Sequence, residues 1–386
     1  MVKERRQFQI GIIFDYNSGW IGGTYYILNL LNAIASLPTV EQPTIVIYGE
    51  NNKGYLLVKK EISLKKLRFK KITNVYSNIL IILINKIWRI FGSSNIFEKG
   101  PSNRSGIIFP NPMGSYFKKV PYPLFWIPDF QEKYYPHFFT DADLKFRENY
   151  NRVLITRQCP IVFSSKNTMD DFKKFYPEAI NTTYLLPFAV SLPDFSDINF
   201  EILKNTYLLN TPYFITPNQF WVHKNHNIVI EAASLVIAQG YKCKFLFSGK
   251  EYDSRCPEYT KLLKESVKVL KLDGSIKFLG FLQRKILLQL MSNSCAVIQP
   301  SLFEGWSTVV EDGKALNKVI IASNLSVHVE QMRERGIYFN PLDAKDLASK
   351  IIEQLKCGNK TIDWQYALKK KEFGRKFIDI VNKVCS

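Results

Sequence analysis

A chain of 386 residues is longer than one ordinary core requires and fits two domains, each with its own apolar interior. A hydrophobic fraction of 46% and a charged fraction of 22%, without any low-complexity tract, exclude a largely disordered chain. The formal net charge of +18 indicates an anionic partner (nucleic acid, an anionic membrane surface or an anionic nucleotide), unless it reflects compositional drift in a chain rich in Lys, Ile, Asn and Tyr.

The N-terminus and the cysteines bear on the compartment. The apolar stretch that follows the basic N-terminus is interrupted by Asp15, Asn17 and Gly19, which favours a first strand over a secretory signal. The six cysteines are scattered and include no C-x-x-C pair, so the sequence predicts neither a zinc site nor a disulfide framework. We therefore expect a cytoplasmic protein.

The first half of the chain begins as a Rossmann-like unit. A strand is predicted at residues 8–15, a loop containing Gly19, Gly22 and Gly23 follows, and a helix is predicted at residues 24–35. Further strands of this half are predicted at residues 44–48, 107–109, 124–127, 161–164 and 184–187.

Two other segments of the first half have alternative interpretations. Residues 59–71 hold seven lysines and arginines and precede an apolar segment at residues 79–91, which is too short to span a bilayer. Together they predict either a surface contact with an anionic membrane or an ordinary buried helix. Asp141 and Asp143 match a D-x-D metal pattern, but their position before a helix favours a helix cap.

The second half alternates short apolar runs with helical patterns, which predicts β-α-β units and a parallel, doubly wound sheet. A linker is predicted at residues 191–212. Strands are predicted at residues 213–216, 243–247, 276–281, 295–299, 319–322 and 337–340, and helices at residues 227–238, 259–270, 285–291, 309–316, 327–335, 344–355 and 370–384.

Residues 300–312, P-S-L-F-E-G-W-S-T-V-V-E-D, lie between a predicted buried strand and a predicted helix. In an open α/β sheet, ligands bind beyond the carboxyl ends of the strands, where Glu304 falls. Gly305 lets a ligand approach the backbone, and the free N–H groups of residues 307–309 favour an anion. A phosphosugar would use both the carboxylate and the anion site. The alternative makes Glu304 a solvated loop residue and Glu311 a surface helix residue.

Residues 300–324 resemble the donor-site signature of family 4 retaining glycosyltransferases, which have the GT-B fold. The resemblance continues with P-N-Q-F-W-V-H-K-N-H at residues 217–226, F-L-F-S-G-K at residues 245–250 and K-F-L-G-F-L at residues 277–282. In the first half it is looser and rests on G-G-T at residues 22–24, W-I-P-D-F-Q at residues 126–131 and F-S-S at residues 163–165. It implies two Rossmann-like domains whose parallel sheets face a central cleft.

The resemblance also implies roles for two glutamates. In that family the first glutamate of an E-x7-E motif contacts hydroxyls of the donor sugar, and the second holds the nucleotide ribose. Glu304 and Glu311 are expected in these places, although only six residues separate them. The same donor-binding loop is expected to include Gly305, Trp306, Ser307 and Thr308.

The family's diphosphate clamp is an arginine followed five residues later by a lysine. Lys224 matches the lysine, whereas Gln219 stands at the position of the arginine. We therefore expect Lys224 to neutralise the phosphates together with helix dipoles or another cation, such as a protonated His223. The alternative is that His223 and His226 cap or pack at the start of the following helix.

The remaining site residues also follow from the resemblance. Asn218 and Gly249 belong to the expected donor-binding set, and Gly22 and Gly23 form the loop where the donor diphosphate and the acceptor meet. Asp129, at the end of a predicted strand, is expected to position the acceptor, and with Glu304 and Lys224 it completes the expected catalytic set.

The sequence thus predicts an acceptor domain at residues 1–208, a donor domain at residues 209–365 and a helix at residues 366–386 that crosses back to the first domain. The implied reaction transfers a sugar from a nucleoside-diphosphate sugar to a hydroxyl of a saccharide or lipid-linked acceptor, with retention of configuration. We expect no metal, no other cofactor and no nucleic-acid partner. We do expect a peripheral contact with the membrane. The competing hypotheses are a non-catalytic basic protein that binds nucleic acid or anionic membrane, an inverting GT-B transferase and a sugar-nucleotide epimerase.

Overall fold

The computed structural model describes residues 9–14, 21–72, 106–110, 120–358 and 360–386. The apolar segment predicted at residues 79–91 lies outside these residues. In the described part of the chain, none of the helices is long and apolar enough to cross a membrane.

The first half contains two parallel sheets. A five-stranded sheet has the order β3-β2-β1-β4-β5, and a three-stranded sheet has the order β6-β7-β8. The strands are β1 (Gln9–Ile13), β2 (Thr44–Gly49), β3 (Leu67–Lys71), β4 (Ile107–Phe109), β5 (Tyr122–Pro123), β6 (Phe125–Ile127), β7 (Ile161–Phe163) and β8 (Thr183–Leu185). The helices are α1 (Ile21–Ala35), α2 (Lys53–Glu61), α3 (Gln131–Tyr134), α4 (Asp141–Thr156) and α5 (Lys166–Phe175).

The second half opens with a short helix, α6 (Phe200–Thr206), and builds a six-stranded parallel sheet of order β11-β10-β9-β12-β13-β14. Its strands are β9 (Tyr213–Thr216), β10 (Lys244–Phe247), β11 (Ile276–Phe278), β12 (Ala296–Gln299), β13 (Ile320–Ser323) and β14 (Ile337–Phe339). Its helices are α7 (His226–Ala238), α8 (Tyr259–Val269), α9 (Arg284–Asn293), α10 (Thr308–Ala315), α11 (Ser326–Met332) and α12 (Ala344–Cys357).

The strand order of the second sheet reverses between β9 and β12. The chain runs outward from β9 through β10 to β11 and then returns to β12 on the other side of β9. A crevice forms at such a switch point because the two following connections leave in opposite directions. The loops after β9 and β12 begin at residues 217 and 300, so the switch point lies at the two strongest sequence motifs.

The last helix, α13 (Tyr366–Cys385), packs against α1 of the first half. Phe373 and Phe377 are buried in the core of that half. Gly374 permits the close contact, because a Cβ there would lie 2.8 Å from the carbonyl carbon and oxygen of Ala33. The C-terminal helix is therefore part of the first half, although the chain reaches it from the second.

The α/β class with parallel sheets is confirmed, and the second half follows the predicted alternation closely. Two details differ from the sequence prediction. The predicted linker contains α6, and the basic cluster at residues 59–71 contains the end of α2 and all of β3. Leu67 packs against the core of the first half and the Phe69 ring lies 5.6 Å from that of Tyr55, whereas Arg68 and Lys71 of this edge strand are exposed.

The D-x-D segment caps a helix, as predicted. The Thr140 side chain accepts a hydrogen bond from the Asp143 backbone N–H at 3.2 Å, and the Asp143 carboxylate accepts one from the Thr140 backbone N–H at 3.2 Å. This reciprocal pair is a capping box at the N-terminus of α4.

Candidate active site

A cavity of about 580 Å³ lies between the two halves, at the switch point of the second sheet. Its size suits a small-molecule ligand. It is bounded by segments that follow the carboxyl ends of strands in both halves. From the first half it is lined by Gly22, Gly23, Trp126, Asp129 and Phe188, and from the second by Asn218, Gln219, His223, Lys224, Gly249, Glu304, Gly305, Trp306, Ser307 and Thr308, among others.

Glu304 and Lys224 form an ion pair in this cavity. The Lys224 Nζ lies 2.6 Å from the Glu304 Oε1, which also accepts hydrogen bonds from the Gln299 amide at 2.7 Å and the Ser301 hydroxyl at 2.8 Å. Burial opposes ionisation, but the ammonium and these donors outweigh it and hold the pKa of Glu304 below its ordinary value. Among the described residues no donor reaches Oε2, which leaves that oxygen for a ligand.

The loop that carries Glu304 is fixed by close contact with the first half. A Cβ on Gly305 would lie 2.3 Å from the Pro128 carbonyl oxygen and 2.8 Å from the Asp129 Cβ, so only glycine fits. The indole N–H of Trp306 donates to the Phe188 carbonyl at 3.2 Å. Ser307 then caps α10 by accepting from the Val310 N–H at 3.3 Å.

The segment after β9 brings Asn218, His223 and Lys224 to the cavity. The Asn218 amide donates to Gln299 at 2.9 Å, which links the loops after β9 and β12. His223 is buried, and its Nδ1 has no hydrogen-bond partner among the described residues. Burial, with Lys224 and Arg255 nearby, lowers the pKa of His223 well below its ordinary value. The expectation that a protonated His223 helps to neutralise phosphate is therefore corrected, because this imidazole is neutral at pH 7.

Glu311 is not a lining residue of the cavity, contrary to the expected ribose contact. Its carboxylate is buried and accepts from Lys314 at 2.6 Å, Gln331 at 3.1 Å and Tyr366 at 2.6 Å. The physical reason is helical geometry. Successive residues of a helix point about 100° apart, and the face of α10 that carries Thr308, Val309 and Asp312 is the one that lines the cavity.

Asp312 is the residue that the sequence interpretation missed. Seven residues separate it from Glu304, which is the spacing of the motif, and it lines the cavity. Its carboxylate is paired in a bidentate manner with the guanidinium of Arg284, which also lines the cavity. The guanidinium carbon of Arg284 lies 5.3 Å from the ring centre of Tyr25 in the first half. The seven-residue spacing of the motif, counted from Glu304, could have predicted Asp312 from the sequence.

Two further cations line the cavity from the loop after β10. Lys250 is exposed, and its ammonium has no ion pair or hydrogen bond to the described residues. Its backbone carbonyl accepts from the Phe220 N–H at 3.1 Å, which places it beside Gln219. Arg255 pairs with Asp253, and its guanidinium lies 5.1 Å from the ring centre of Trp221.

The wall formed by the first half carries one acidic and one basic side chain, Asp129 and Arg147, among its lining residues. The Asp129 Oδ1 accepts from the Gln131 backbone N–H at 3.0 Å, and burial raises the pKa of the Asp129 carboxyl. The Gln131 Nε2 is buried without a partner among the described residues, and Gln131 lines the cavity. Arg147 lines the same wall and hydrogen-bonds Glu132 at 3.3 Å. Polar groups that suit hydroxyl groups therefore face the donor-side motifs.

In the part of the chain that the structure describes, no group of three or more His, Cys, Asp or Glu residues is placed to hold a metal ion. Asp141 and Asp143, the D-x-D pair, lie in the exposed first turn of α4.

Comparisons with known proteins agree with this geometry. Residues 199–371 match the family model described as glycosyl transferases group 1. A crystal structure of a glycosyltransferase from Rickettsia africae superposes with a TM-score of 0.69 at 17% identity, covering 98% of this chain and 99% of that one. HepE of Anabaena, in complex with UDP and glucose, superposes with a TM-score of 0.66 at 14% identity, covering 97% and 100%. The chain thus has the GT-B fold of glycosyltransferases, as the sequence predicted.

A curated relative is more similar in sequence but over a shorter stretch. The O-antigen chain mannosyltransferase RfbU of Salmonella typhimurium is 29% identical over 145 residues, which is 37% of this chain and 39% of the relative. The match thus spans about two fifths of that relative's length. The family match thus covers residues 199–371, and the whole chain has the GT-B fold.

Proposed function

We propose that this protein is a glycosyltransferase that moves a sugar from a nucleoside-diphosphate sugar to a hydroxyl group of an acceptor. The observation that carries the proposal is the Lys224–Glu304 pair at the switch point, in a cavity that both halves line. A lysine and a carboxylate beside a helix N-terminus match a ligand that bears phosphates at one end of its reacting bond and a sugar at the other.

The donor would lie along the second half. Its diphosphate would meet Lys224, Lys250 and the N-terminus of α10, and positive charge there would stabilise the departing nucleoside diphosphate. The free Oε2 of Glu304 would accept from hydroxyls of the transferred sugar. Asp312, held by Arg284, takes the ribose role that the sequence interpretation gave to Glu311.

The acceptor would enter along the first half. Asp129 and Gln131 offer a carboxylate and a free amide to hydroxyl groups of the acceptor, which is the role expected for Asp129. The matched part of the relative RfbU, an O-antigen chain mannosyltransferase, supports a hexose donor and a saccharide or lipid-linked acceptor. Retention of configuration and membership of family 4 remain proposals that rest on the resemblance.

A basic protein that binds nucleic acid fits this cavity less well. Glu304, Asp312 and Asp129 all line it, and three carboxylates repel a phosphate backbone. The net charge of +18 is then explained by an anionic nucleotide substrate and by the basic surface at residues 59–71.

The test is a thermal-shift panel of UDP, GDP, dTDP and ADP sugars and CMP-linked sugars. A ligand that binds only the folded protein raises its melting temperature, and the stabilisation grows with the logarithm of the ratio of ligand concentration to Kd. We expect one nucleotide class to stabilise the fold. That donor, incubated with candidate acceptors, should give a product whose anomeric configuration is read by NMR. An inverted product would identify an inverting transferase, turnover without any acceptor would identify an epimerase, and no stabilisation by any nucleotide sugar would contradict the proposal.

A further inference from the structure

Tyr366, the first residue of α13, joins the two halves of the molecule. Its hydroxyl donates to the Glu311 Oε2 at 2.6 Å and accepts from the Val190 backbone N–H at 2.8 Å. Burial and the Glu311 carboxylate raise the pKa of the Tyr366 hydroxyl well above its ordinary value, so it remains a donor throughout the neutral pH range. The Tyr366 hydroxyl thus connects three parts of the structure, namely the backbone of the first half at Val190, the C-terminal helix α13 and the helix α10.

The helix that begins at Tyr366 is anchored firmly in the first half. Seven residues beyond Tyr366 in the chain, Phe373 is buried in the core of the first half, and Gly374 packs directly on the backbone of α1. Arg375 pairs with Glu41 of that half through two hydrogen bonds, at 3.0 and 3.3 Å. Tyr366 therefore moves with the first half.

On the other side, Glu311 leads to the donor loop. The Gln331 amide donates to the Glu311 Oε1 at 3.1 Å and also to the Ser307 carbonyl at 3.1 Å, while its own oxygen accepts from the Ser307 N–H at 3.0 Å. Lys314 joins the group by donating to Glu311 at 2.6 Å and to the Gln331 carbonyl at 3.0 Å. Gln331 thus holds both backbone groups of Ser307, three residues after Glu304.

These groups are isolated from water. Glu311 and Lys314 are 1% exposed and Gln331 is 4% exposed. A buried carboxylate that accepts from three donors is satisfied, and removing one partner leaves a costly unpaired group. Because Glu311 is satisfied in this way, it has no oxygen to offer to a ligand.

We infer that Glu311 is a positioning residue that transmits the placement of the first half, through Tyr366 and Gln331, to the Ser307 end of the donor loop. Trp306 makes a second contact with the first half, by donating to the Phe188 carbonyl. The donor loop is therefore tied both to the segment at Phe188 and, through Glu311 and Gln331, to the segment at Tyr366. Any change in the angle between the halves then displaces the loop that carries Glu304. This role rests on the proposed function, because that loop is where the donor sugar would bind.

The first experiment uses Tyr366→Phe, which removes the hydroxyl and keeps the ring. Tyr338→Phe is the matched control, because its hydroxyl donates to the Arg333 carbonyl and it is not among the residues that line the cavity. We expect hydrogen exchange of the backbone amides of residues 305–309 to accelerate in Tyr366→Phe and to remain at the wild-type rate in the control. Unchanged exchange in both variants overturns the inference, and this readout does not depend on enzymatic turnover.

The second experiment measures turnover in Tyr366→Phe, Gln331→Leu and the double variant. If both residues act through one chain of contacts, each should lower kcat about tenfold, and the double variant should be no worse than the poorer single variant. The affinity for the bare nucleoside diphosphate should stay within about twofold of wild type, because no ligand contact is lost. The inference is overturned if the losses in kcat of the two single variants multiply in the double variant. It is also overturned if the affinity for the nucleoside diphosphate falls together with kcat. A wild-type protein that binds no nucleotide sugar contradicts the proposed function instead, and the exchange experiment then decides the role of Tyr366.

Discussion

The Nζ of Lys224 and the Oε1 of Glu304 lie 2.6 Å apart although the two residues are 80 positions apart in the sequence. Both side chains are mostly buried, at 14% and 9% exposure, so each depends on the other for neutralisation. In the proposed function, a donor diphosphate that binds Lys224 would compete with Glu304 for the ammonium and would free the carboxylate to turn towards the sugar. The pair would thereby link donor binding to the residue that would face the reacting carbon.

The first prediction separates the two members of this pair. Glu304→Gln should chiefly lower kcat, because its charge would matter most when positive charge develops on the sugar. Lys224→Met should raise the donor KM and weaken binding of the bare nucleoside diphosphate, which Glu304→Gln should bind nearly as wild type does. Steady-state kinetics and calorimetric titration check both. A Glu304→Gln variant with normal kcat would contradict the assignment.

The same pair predicts a change in pH dependence. In the wild type, Lys224 helps to hold the pKa of Glu304 below its ordinary value, so Glu304 stays ionised until the pH falls below that range. In Lys224→Met, burial is opposed only by His328 and the neutral donors, and the pKa of Glu304 should rise. The acidic limb of the kcat/KM profile should then move to higher pH than in wild type. An acidic limb at the wild-type position would show that Glu304 does not control it.

The second prediction concerns which acidic residue holds the ribose. Asp312→Asn removes a charged partner, which costs about 1.5 to 3 kcal/mol and weakens binding of the bare nucleoside diphosphate by about 10- to 150-fold. Glu311→Gln should bind the same nucleotide within about twofold of wild type, since Glu311 lies outside the cavity. The reverse order of affinities would return the ribose role to Glu311.

The sequence predicts most of the second half because its signals are local. Buried apolar strands, helical periodicity and the Glu304 loop each lie within a short segment. Local signals could not decide between Glu311 and Asp312. These residues are adjacent in sequence and point about 100° apart on α10, so only the packing of that helix decides which one faces the cavity. The neutral state of His223 is likewise a tertiary effect, because burial sets it.

The strand β3 in the basic cluster at residues 59–71 was not predicted either, because its formation depends on tertiary contacts. Residues 67–71 form an edge strand because Ile45 and its neighbours in β2 supply the pairing partner, which no local pattern of charges reveals. Lys250 and Arg284 were not predicted as site residues, because they come from the loop after β10 and the start of α9 and line the same cavity as Lys224 only once the sheet has formed.

The third prediction addresses the cation that accompanies Lys224. Lys250 is exposed, lines the cavity and lies beside Gln219, and a Cβ on the preceding Gly249 would lie 2.9 Å from the Gln219 Cα. Lys250→Gln should weaken binding of the nucleoside diphosphate about tenfold while binding of the nucleoside stays within about twofold, as expected for a charge-assisted phosphate contact.

The matched rescue is Gln219→Arg in the Lys250→Gln background. It places a cation at the neighbouring position and should restore most of the diphosphate affinity, as measured by calorimetric titration. Equal losses for the nucleoside and the nucleoside diphosphate, or a failure of the arginine to rescue, would show that Lys250 does not contact phosphate.

The fourth prediction is that turnover needs no divalent cation. Lys224, Lys250 and the N-terminus of α10 supply positive charge where the nucleoside diphosphate would leave, which is the task a bound Mg²⁺ performs in other transferases. Excess EDTA should leave kcat within about twofold of the untreated enzyme. Complete loss that Mg²⁺ or Mn²⁺ restores would contradict this prediction, and Asp141→Asn with Asp143→Asn would then test the D-x-D pair.

The basic surface at residues 59–71 leads to the last prediction. The end of α2 and the strand β3 carry exposed basic side chains at the edge of the first sheet, in the half that would receive the acceptor. Basic residues on an edge strand also prevent edge-to-edge association. The exposed members are Lys59, Lys60, Lys65, Arg68 and Lys71.

We expect this surface to bind anionic membranes, and we compare two triple variants. One replaces Lys59, Lys60 and Lys65 with Gln, and the control replaces Lys242, Lys268 and Lys271, which are exposed on the second half. Each lysine near an anionic surface contributes about 1 kcal/mol, so the first variant should lose about 100-fold in affinity for liposomes that contain anionic lipid. The control should bind as wild type does. Wild-type binding should also weaken steeply above about 0.1 M salt, where the Debye length falls below about 10 Å. Equal co-sedimentation of both triple variants, or binding of wild type that is indifferent to salt, would show that this surface is not the membrane contact.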